Sequence, residues 1–190
     1  MRRTGDRGYT LIEQVAIIVI LGILAAVALP NLLSTVGVAH AAVVSQIAGA
    51  FRSAVTQAQI RYLVSGLSGI QDNVPGFANG GVDFNAGGFP VDAVNTSGPQ
   101  GQNGTAANNI TNNNAGRIRC RRVFQGILAV APPICGGTGG QGVACDSDHA
   151  WETTTSGAVG RCRYTYRKDS AVSRRFDYDV NSGLITVTNP

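Results

Sequence analysis

Four cysteines are the residues of this 190-residue chain that could do covalent chemistry: Cys120, Cys135, Cys145 and Cys162. No two of them form a C-x-x-C pair, and only two histidines are present to complete a metal site. Structural zinc sites use closely spaced ligand pairs, so the spacing argues against a metal. An even number of cysteines behind an export-like N-terminal segment predicts two disulfides and an oxidising compartment. Four cysteines allow three pairings, and the spacing leaves all three open.

A cluster of acidic residues lies near one histidine in the C-terminal half. Asp146, Asp148 and Glu152 surround His149, and such a set could bind a cation or activate a nucleophile. Residues of these types within one short hydrophilic loop more often form a solvated turn. No other catalytic constellation and no phosphate-binding glycine motif is found. We therefore predict no enzymatic activity, no cofactor and no metal.

Basic residues are concentrated near two of the cysteines. Net charge is +4, a modest excess that does not by itself indicate a nucleic-acid-binding protein. If Cys120 and Cys162 are joined, the flanking arginines converge on one edge, where they could contact DNA or another acidic surface by charge alone. The arginines of this candidate anionic-partner patch are Arg119, Arg121, Arg122, Arg161 and Arg163.

The N-terminal segment determines the compartment in which any such site would act. From Tyr9 to Leu29 only three residues are polar, and Val15 to Leu29 is apolar without interruption. Three interpretations compete: a signal peptide cut after Ala41, a permanent membrane anchor of about 30 Å, or removal of a short basic leader after Gly8 with the apolar segment retained.

Glu13 separates these interpretations. A carboxylate at the centre of a membrane helix costs about 2.5–3.5 kcal/mol and is tolerated better near the interface beside a cation. A signal peptide gains nothing from it. Cleavage after Gly8 would create an amine at Tyr9, one helical turn away or on a neighbouring subunit, which favours the third interpretation.

The same residues carry a family resemblance. Gly8-Tyr9-Thr10-Leu11-Ile12-Glu13, followed by the apolar run to Pro30, resembles the N-terminus of type IV prepilins and pseudopilins. The resemblance implies cleavage after Gly8 by the prepilin peptidase, methylation of Tyr9 and an assembly role for Glu13. Tyr9 stands where phenylalanine is usual, and Gln14 where an aliphatic residue is usual.

The apolar pattern continues beyond the first thirty residues. Leu32, Val36, Val43 and Ile47 belong to a stripe that recurs at three- and four-residue steps, which predicts one helix from about Thr10 to Tyr62. Pro30 should bend this helix, and Gly22 adds backbone freedom. The resemblance favours a role for both in assembly, through loosening of residues 22–30 when the helix leaves lipid for a filament core.

The remainder of the chain predicts a loop region, a short helix and a sheet. Residues 63–116 are rich in glycine and asparagine and are predicted to be a variable loop region. Residues 120–133 have helical apolar spacing that ends at paired prolines. Residues 161–167, 175–180 and 184–188 predict three consecutive antiparallel strands.

This part resembles the mannose-sensitive haemagglutinin pilins. The matching stretches are Cys120-Arg121-Arg122-Val123-Phe124 with Pro132-Pro133, and Cys162-Arg163-Tyr164-Thr165-Tyr166. The resemblance implies that Cys120 pairs with Cys162, which leaves Cys135 to pair with Cys145.

Together these features predict a disulfide-stapled, pilin-like α+β fold in which a long N-terminal helix packs on a C-terminal antiparallel sheet. The expected parts are a leader (1–8), a membrane or filament-core half-helix (9–30) and a globular domain (31–190) made of an amphipathic half-helix (31–62), the loop region (63–116) and the short helix with the sheet (117–190).

The expected function is that of a type IV pilus subunit serving surface adhesion or motility. The alternatives are a minor, competence-type pilin that binds DNA and a type II secretion pseudopilin. The implied partners are other pilin subunits, the prepilin peptidase, the assembly platform, the bacterial inner membrane before assembly, and DNA or a surface receptor afterwards. The expected location is the inner membrane, then an extracellular pilus (fimbrium).

Overall fold

A computed structural model describes residues 10–77, 80–94, 110, 113–138, 142–155, 157 and 159–189, without the side chains of residues 30–34, 80 and 94. Met1–Ala39 and His40–Pro190 form two compact units. The elements confirm an α+β chain with a long N-terminal helix. In chain order they are α1 (Leu11–Val64), β1 (Gln71–Phe77), β2 (Gly80–Phe84), β3 (Pro90–Val94), α2 (Asn114–Ile127), β4 (Ile134–Cys135), β5 (Trp151–Thr155), β6 (Arg161–Tyr166), β7 (Arg174–Asp179) and β8 (Ile185–Thr188).

The long helix predicted from the apolar stripe is confirmed as α1. Beyond His40 its buried positions recur at three- and four-residue steps: Val44, Ala48, Phe51, Val55, Ala58 and Tyr62. The ring centroid of Phe51 lies 5.2 Å from that of Tyr164 and 5.4 Å from those of Phe176 and Tyr178. Because these three partners belong to β6 and β7, the cluster holds this part of α1 against the sheet.

The C-terminal sheet has five strands in the order β4-β5-β6-β7-β8. The three strands predicted from the sequence are confirmed as β6, β7 and β8, which pair in antiparallel register. The short strand β4 pairs in parallel with β5, so the sheet is mixed. Alternate residues of β6 and β7 are buried, which gives the sheet one face on the core and one outer face.

A second sheet forms within the region that the sequence analysis assigns to a loop. Strands β1, β2 and β3 pair in that order, all antiparallel. The prediction missed them because the strands are short and rich in glycine and acid, and their pairing contains register shifts. Val82 and Val91 contribute buried apolar side chains to this sheet.

Helix α2 begins at Asn114. The sequence predicts a start at Cys120, six residues later. The side chain of Asn113 accepts a hydrogen bond from the Gly116 N–H at 3.1 Å, which caps the first turn. The helix ends at Ile127, ahead of Pro132. Near that end Gly126 packs so closely on β3 that a Cβ there would overlap the Cβ of Ala93.

Two disulfides fasten these elements. Cys120–Cys162 joins α2 to β6, and Cys135–Cys145 closes the loop that follows β4, with Cα–Cα distances of 5.4 and 5.1 Å. This is the pairing that the resemblance implies. Cys120, Cys162 and Cys135 are buried, whereas Cys145 is exposed.

Polar contacts join α1 to the edge strand β8 and the tail behind it. Arg52 Nη2 donates a hydrogen bond to the Ile185 carbonyl at 2.8 Å. Asn189 Nδ2 donates to the Ala41 carbonyl at 2.8 Å and to Ser45 Oγ at 3.1 Å. These bonds fix the C-terminal end of the sheet on the helix.

Candidate assembly surface

The first described turns of α1 expose apolar side chains all round. Leu11–Leu29 is long and apolar enough to cross a membrane, and none of it is buried within the chain. Leu11, Ile12 and Val27 are each more than 70% exposed. Each Å² of apolar surface removed from water is worth roughly 25 cal/mol, so this segment has a strong tendency to enter lipid or to pack on other helices.

The second half of the helix passes the same test of length and composition, over Thr35–Val64. Beyond His40, however, this half supplies Phe51 and Val55 to the globular core. The test alone is therefore weak evidence, and the exposed segment Leu11–Leu29 is the candidate for membrane contact.

Glu13 forms a reciprocal cap at the start of α1. Glu13 Oε2 accepts hydrogen bonds from the Thr10 N–H and the Thr10 hydroxyl, both at 2.8 Å. In return the Glu13 N–H donates to Thr10 Oγ1 at 3.4 Å. This is a capping box, which satisfies N–H groups that the first turn leaves without partners. The capping role of Thr10 was not predicted, although T-x-x-E ahead of an apolar run is the sequence signal for a capping box.

The other predicted assembly residues fall partly outside this description. Gly8 and Tyr9, the predicted cleavage and methylation positions, lie outside the described residues. The backbone of α1 is helical through Gly22 and Pro30, and a Cβ added at Gly22 would meet nothing within 4 Å. Loosening of residues 22–30 on assembly stays a prediction.

Two of the arginines of α2 contact a buried carboxylate, that of Asp92. Arg122 Nη1 lies 3.1 Å from Asp92 Oδ2, and Arg119 Nε lies 3.8 Å from the same oxygen. Burial raises the pKa of Asp92, and the charge of Arg122 opposes that shift. Arg121 donates to Gln125 Oε1 at 2.8 Å, and burial lowers its pKa.

The arginines of β6 are paired across the sheet instead. Arg163 Nε lies 2.8 Å from Asp177 Oδ1, and Arg161 Nε lies 3.1 Å from Asp179 Oδ2. The hydrogen bonds to Asp177 raise the pKa of Arg163. Four of the five arginines in the predicted patch thus lie beside an aspartate, which reduces the charge that the patch offers to DNA, whereas Arg121 bonds to a neutral amide.

The acidic loop forms its own local structure. His149 Nδ1 lies 2.6 Å from Asp146 Oδ1. The Asp148 N–H also bonds to Asp146 at 2.9 Å, and these contacts lower the pKa of the Asp146 carboxyl. Arg167 Nη1 donates to the carbonyls of Asp146 and His149. In the part of the chain that the structure describes, no three His, Cys, Asp or Glu side chains come together as a metal site.

Neither a protein-family model, nor a curated protein, nor a solved structure matches this chain. The features of this chain that bear on its function are the N-terminal motif, the exposed helix that follows it and the disulfide-bonded α+β unit.

Proposed function

We propose that this chain is a structural subunit of a type IV pilus that serves surface adhesion or motility. The prepilin peptidase removes the leader after Gly8, and the new N-terminus at Tyr9 is methylated. The subunit is held in the inner membrane by its apolar helix. It then enters an extracellular filament in which the helices of neighbouring subunits surround one another.

The observation that carries this proposal is the exposed segment Leu11–Leu29 with one carboxylate, Glu13, near its start. A helix that is apolar on all sides is stable only in lipid or among other helices. Transfer from the membrane to a bundle of identical helices keeps that surface out of water, so the same segment serves both states.

Glu13 sets the axial register of the subunits. In a bundle of apolar helices an unpaired carboxylate costs several kcal/mol. The amine of Tyr9, on the same chain or a neighbouring copy, removes that cost at one axial offset. Subunits therefore join at the offset that brings the two charges together.

Three variants separate this charge from the capping role of Glu13. Glu13→Gln removes the charge, but glutamine can still complete a capping box. Glu13→Ala removes both. Thr10→Ala removes the cap hydroxyl and keeps the charge, and thus serves as the matched control.

We expect Glu13→Gln and Glu13→Ala to accumulate in the membrane and to give few filaments, whereas Thr10→Ala assembles normally. The measurement is the amount of chain sheared from the cell surface relative to the amount in the membrane fraction. Normal filament yield from Glu13→Gln would contradict the charge role. The intact mass of the native protein tests processing, since a chain that starts anywhere other than Tyr9 contradicts the proposal.

A further inference from the structure

The outer face of the C-terminal sheet is an ordered polar surface. The register of β5 to β8 aligns its outward side chains in rows across the strands. One row is Glu152, Thr165, Arg175 and Thr188, and the next is Thr154, Arg163, Asp177 and Thr186. Neighbouring strands are about 4.8 Å apart, so each row presents side chains at regular intervals.

Most charges on this face are neutralised by one another. Arg161 and Arg163 each have an aspartate directly across on β7. Just beyond β6, Arg167 Nε lies 3.8 Å from Glu152 Oε2. With Arg175 included, the face has four arginines and three carboxylates, so one positive charge remains.

That remaining charge is on Arg175. Its neighbours across the strands are threonines, Thr165 on β6 and Thr188 on β8. Within the described part of the chain, Arg175 has no ion pair, and its buried Nε has no hydrogen-bond partner. Arg175 is thus a partly exposed arginine whose two neighbours across the strands both have hydroxyl side chains.

We propose that Arg175, Thr165 and Thr188 bind the carboxylate of an acidic saccharide. A guanidinium binds a carboxylate through two parallel hydrogen bonds, and the flanking hydroxyls are further donors. The row from Thr165 to Thr188 spans about 10 Å, which leaves space for a sugar ring beside the carboxylate. Asp177 and Thr186 in the next row can bond to the ring hydroxyls.

The same face disfavours a polyanion. Glu152, Asp177 and Asp179 all lie on it and neutralise three of its arginines, so a single positive charge is left for the successive phosphates of a nucleic acid. A ligand with one carboxylate and many hydroxyls fits this alternation of charge better. The inference concerns the globular unit and is independent of the proposed filament.

Binding can be tested by titrating the full-length protein in neutral detergent with the methyl glycoside of galacturonic acid, which has one carboxylate and three ring hydroxyls. The matched ligand control is the methyl ester of the same glycoside, which has the same ring without the charged carboxylate. We expect the acid to bind and the ester not to bind, with chemical-shift changes at Thr165 and Thr188. Loss of one charge-assisted contact predicts about a tenfold weaker affinity for Arg175→Gln.

Two further variants make the test specific. Thr165→Val keeps the shape and strand propensity but removes a hydroxyl, and we expect a smaller loss of affinity. Arg117→Gln removes one exposed positive charge from α2, away from this face, and should bind as wild type does. Thermal unfolding of each variant checks that the fold is retained.

Three results would overturn the inference. They are equal binding of the acid and the ester, an affinity unchanged by Arg175→Gln, and no binding of the galacturonic acid glycoside up to about 10 mM, well above a weak Kd of 1 mM. Single-stranded DNA is titrated in a parallel experiment, as the competing ligand with phosphate groups. Retention of DNA through Arg175 without retention of the saccharide would assign the site to phosphate instead.

Discussion

Asp83 and Asp92 face each other across β2 and β3, and both carboxylates are buried. They are stabilised differently. Asp92 has Arg122 at 3.1 Å and Arg119 at 3.8 Å, whereas Asp83 accepts a hydrogen bond from the Asn73 N–H at 2.8 Å. Both guanidinium groups thus lie within ion-pair distance of Asp92, whereas Asp83 has only a weaker electrostatic contribution from Arg119.

The first prediction concerns pH. Burial raises the pKa of Asp83 to about 6; the bond from Asn73 opposes that shift, and the charge of Asp92 adds to it. Because the folded pKa exceeds that of the unfolded chain, Asp83 destabilises the fold progressively as pH rises from about 4 to about 6. Asp83→Asn keeps an acceptor for Asn73, so we expect it to stabilise the protein by about 2–3 kcal/mol at pH 8 and hardly at all at pH 4.

Denaturant unfolding at both pH values measures this difference. Asp72→Asn, which removes an exposed carboxylate on β1, is the charge-matched control and should change stability by less than about 0.5 kcal/mol. An equal gain from Asp83→Asn at pH 4 and pH 8 would show that its ionisation does not matter.

The second prediction compares two helical glycines. Gly126→Ala places a methyl group against the Cβ of Ala93 and should destabilise the chain by about 1–3 kcal/mol through overpacking. Gly49→Ala on α1 meets nothing within 4 Å and should stabilise it by about 0.5–1 kcal/mol. Thermal unfolding measures both, and the same sign for the two variants would refute the close packing of α2 on β3.

The third prediction ranks the disulfides by the chain that each one closes. Their sequence separations are 42 and 10 residues. The chain-entropy model assigns about 4 kcal/mol to Cys120–Cys162 and about 3 kcal/mol to Cys135–Cys145. Replacing either pair by alanine should lower the unfolding free energy in that order, as measured in denaturant under oxidising conditions. The reverse order would show that native packing outweighs loop closure.

The fourth prediction concerns reduction. Cys145 is exposed, whereas Cys120 and Cys162 are both buried. A thiolate must reach a sulfur atom to attack it, so mild reductant should open Cys135–Cys145 first. Alkylation followed by mass spectrometry measures the order in which the two disulfides are reduced. The double variant Cys135→Ser with Cys145→Ser is the control, because it lacks the disulfide that we expect to be reduced first. Simultaneous loss of both disulfides in wild type would contradict the difference in access.

The elements that the sequence predicts are those with strong periodicity. The apolar stripe that includes Phe51 and Tyr62 predicts α1, and the alternation around Tyr164 and Phe176 predicts β6 and β7. The second sheet was missed because Asp83 and Asp92 are buried like their apolar neighbours, so its strands do not show the usual alternation of apolar and polar residues.

In the candidate sites too, contacts between residues close in sequence can be predicted, and contacts between distant residues cannot. Thr10 and Glu13 are three residues apart, so their cap could be predicted from local spacing. Asp92 lies 30 residues from Arg122, and only the tertiary fold brings them together. The sequence therefore predicts an edge with more positive charge than the structure has, because the aspartates that neutralise its arginines are distant in sequence.

The contact between Arg52 and Ile185 limits how copies of this chain can associate. The Ile185 carbonyl is an acceptor that an incoming strand would need for main-chain pairing along β8, and the guanidinium already uses it. Edge-to-edge growth into amyloid-like ribbons is therefore disfavoured along this border. Copies that meet at this edge will contact each other through side chains, and their sheets will not merge into one intermolecular sheet.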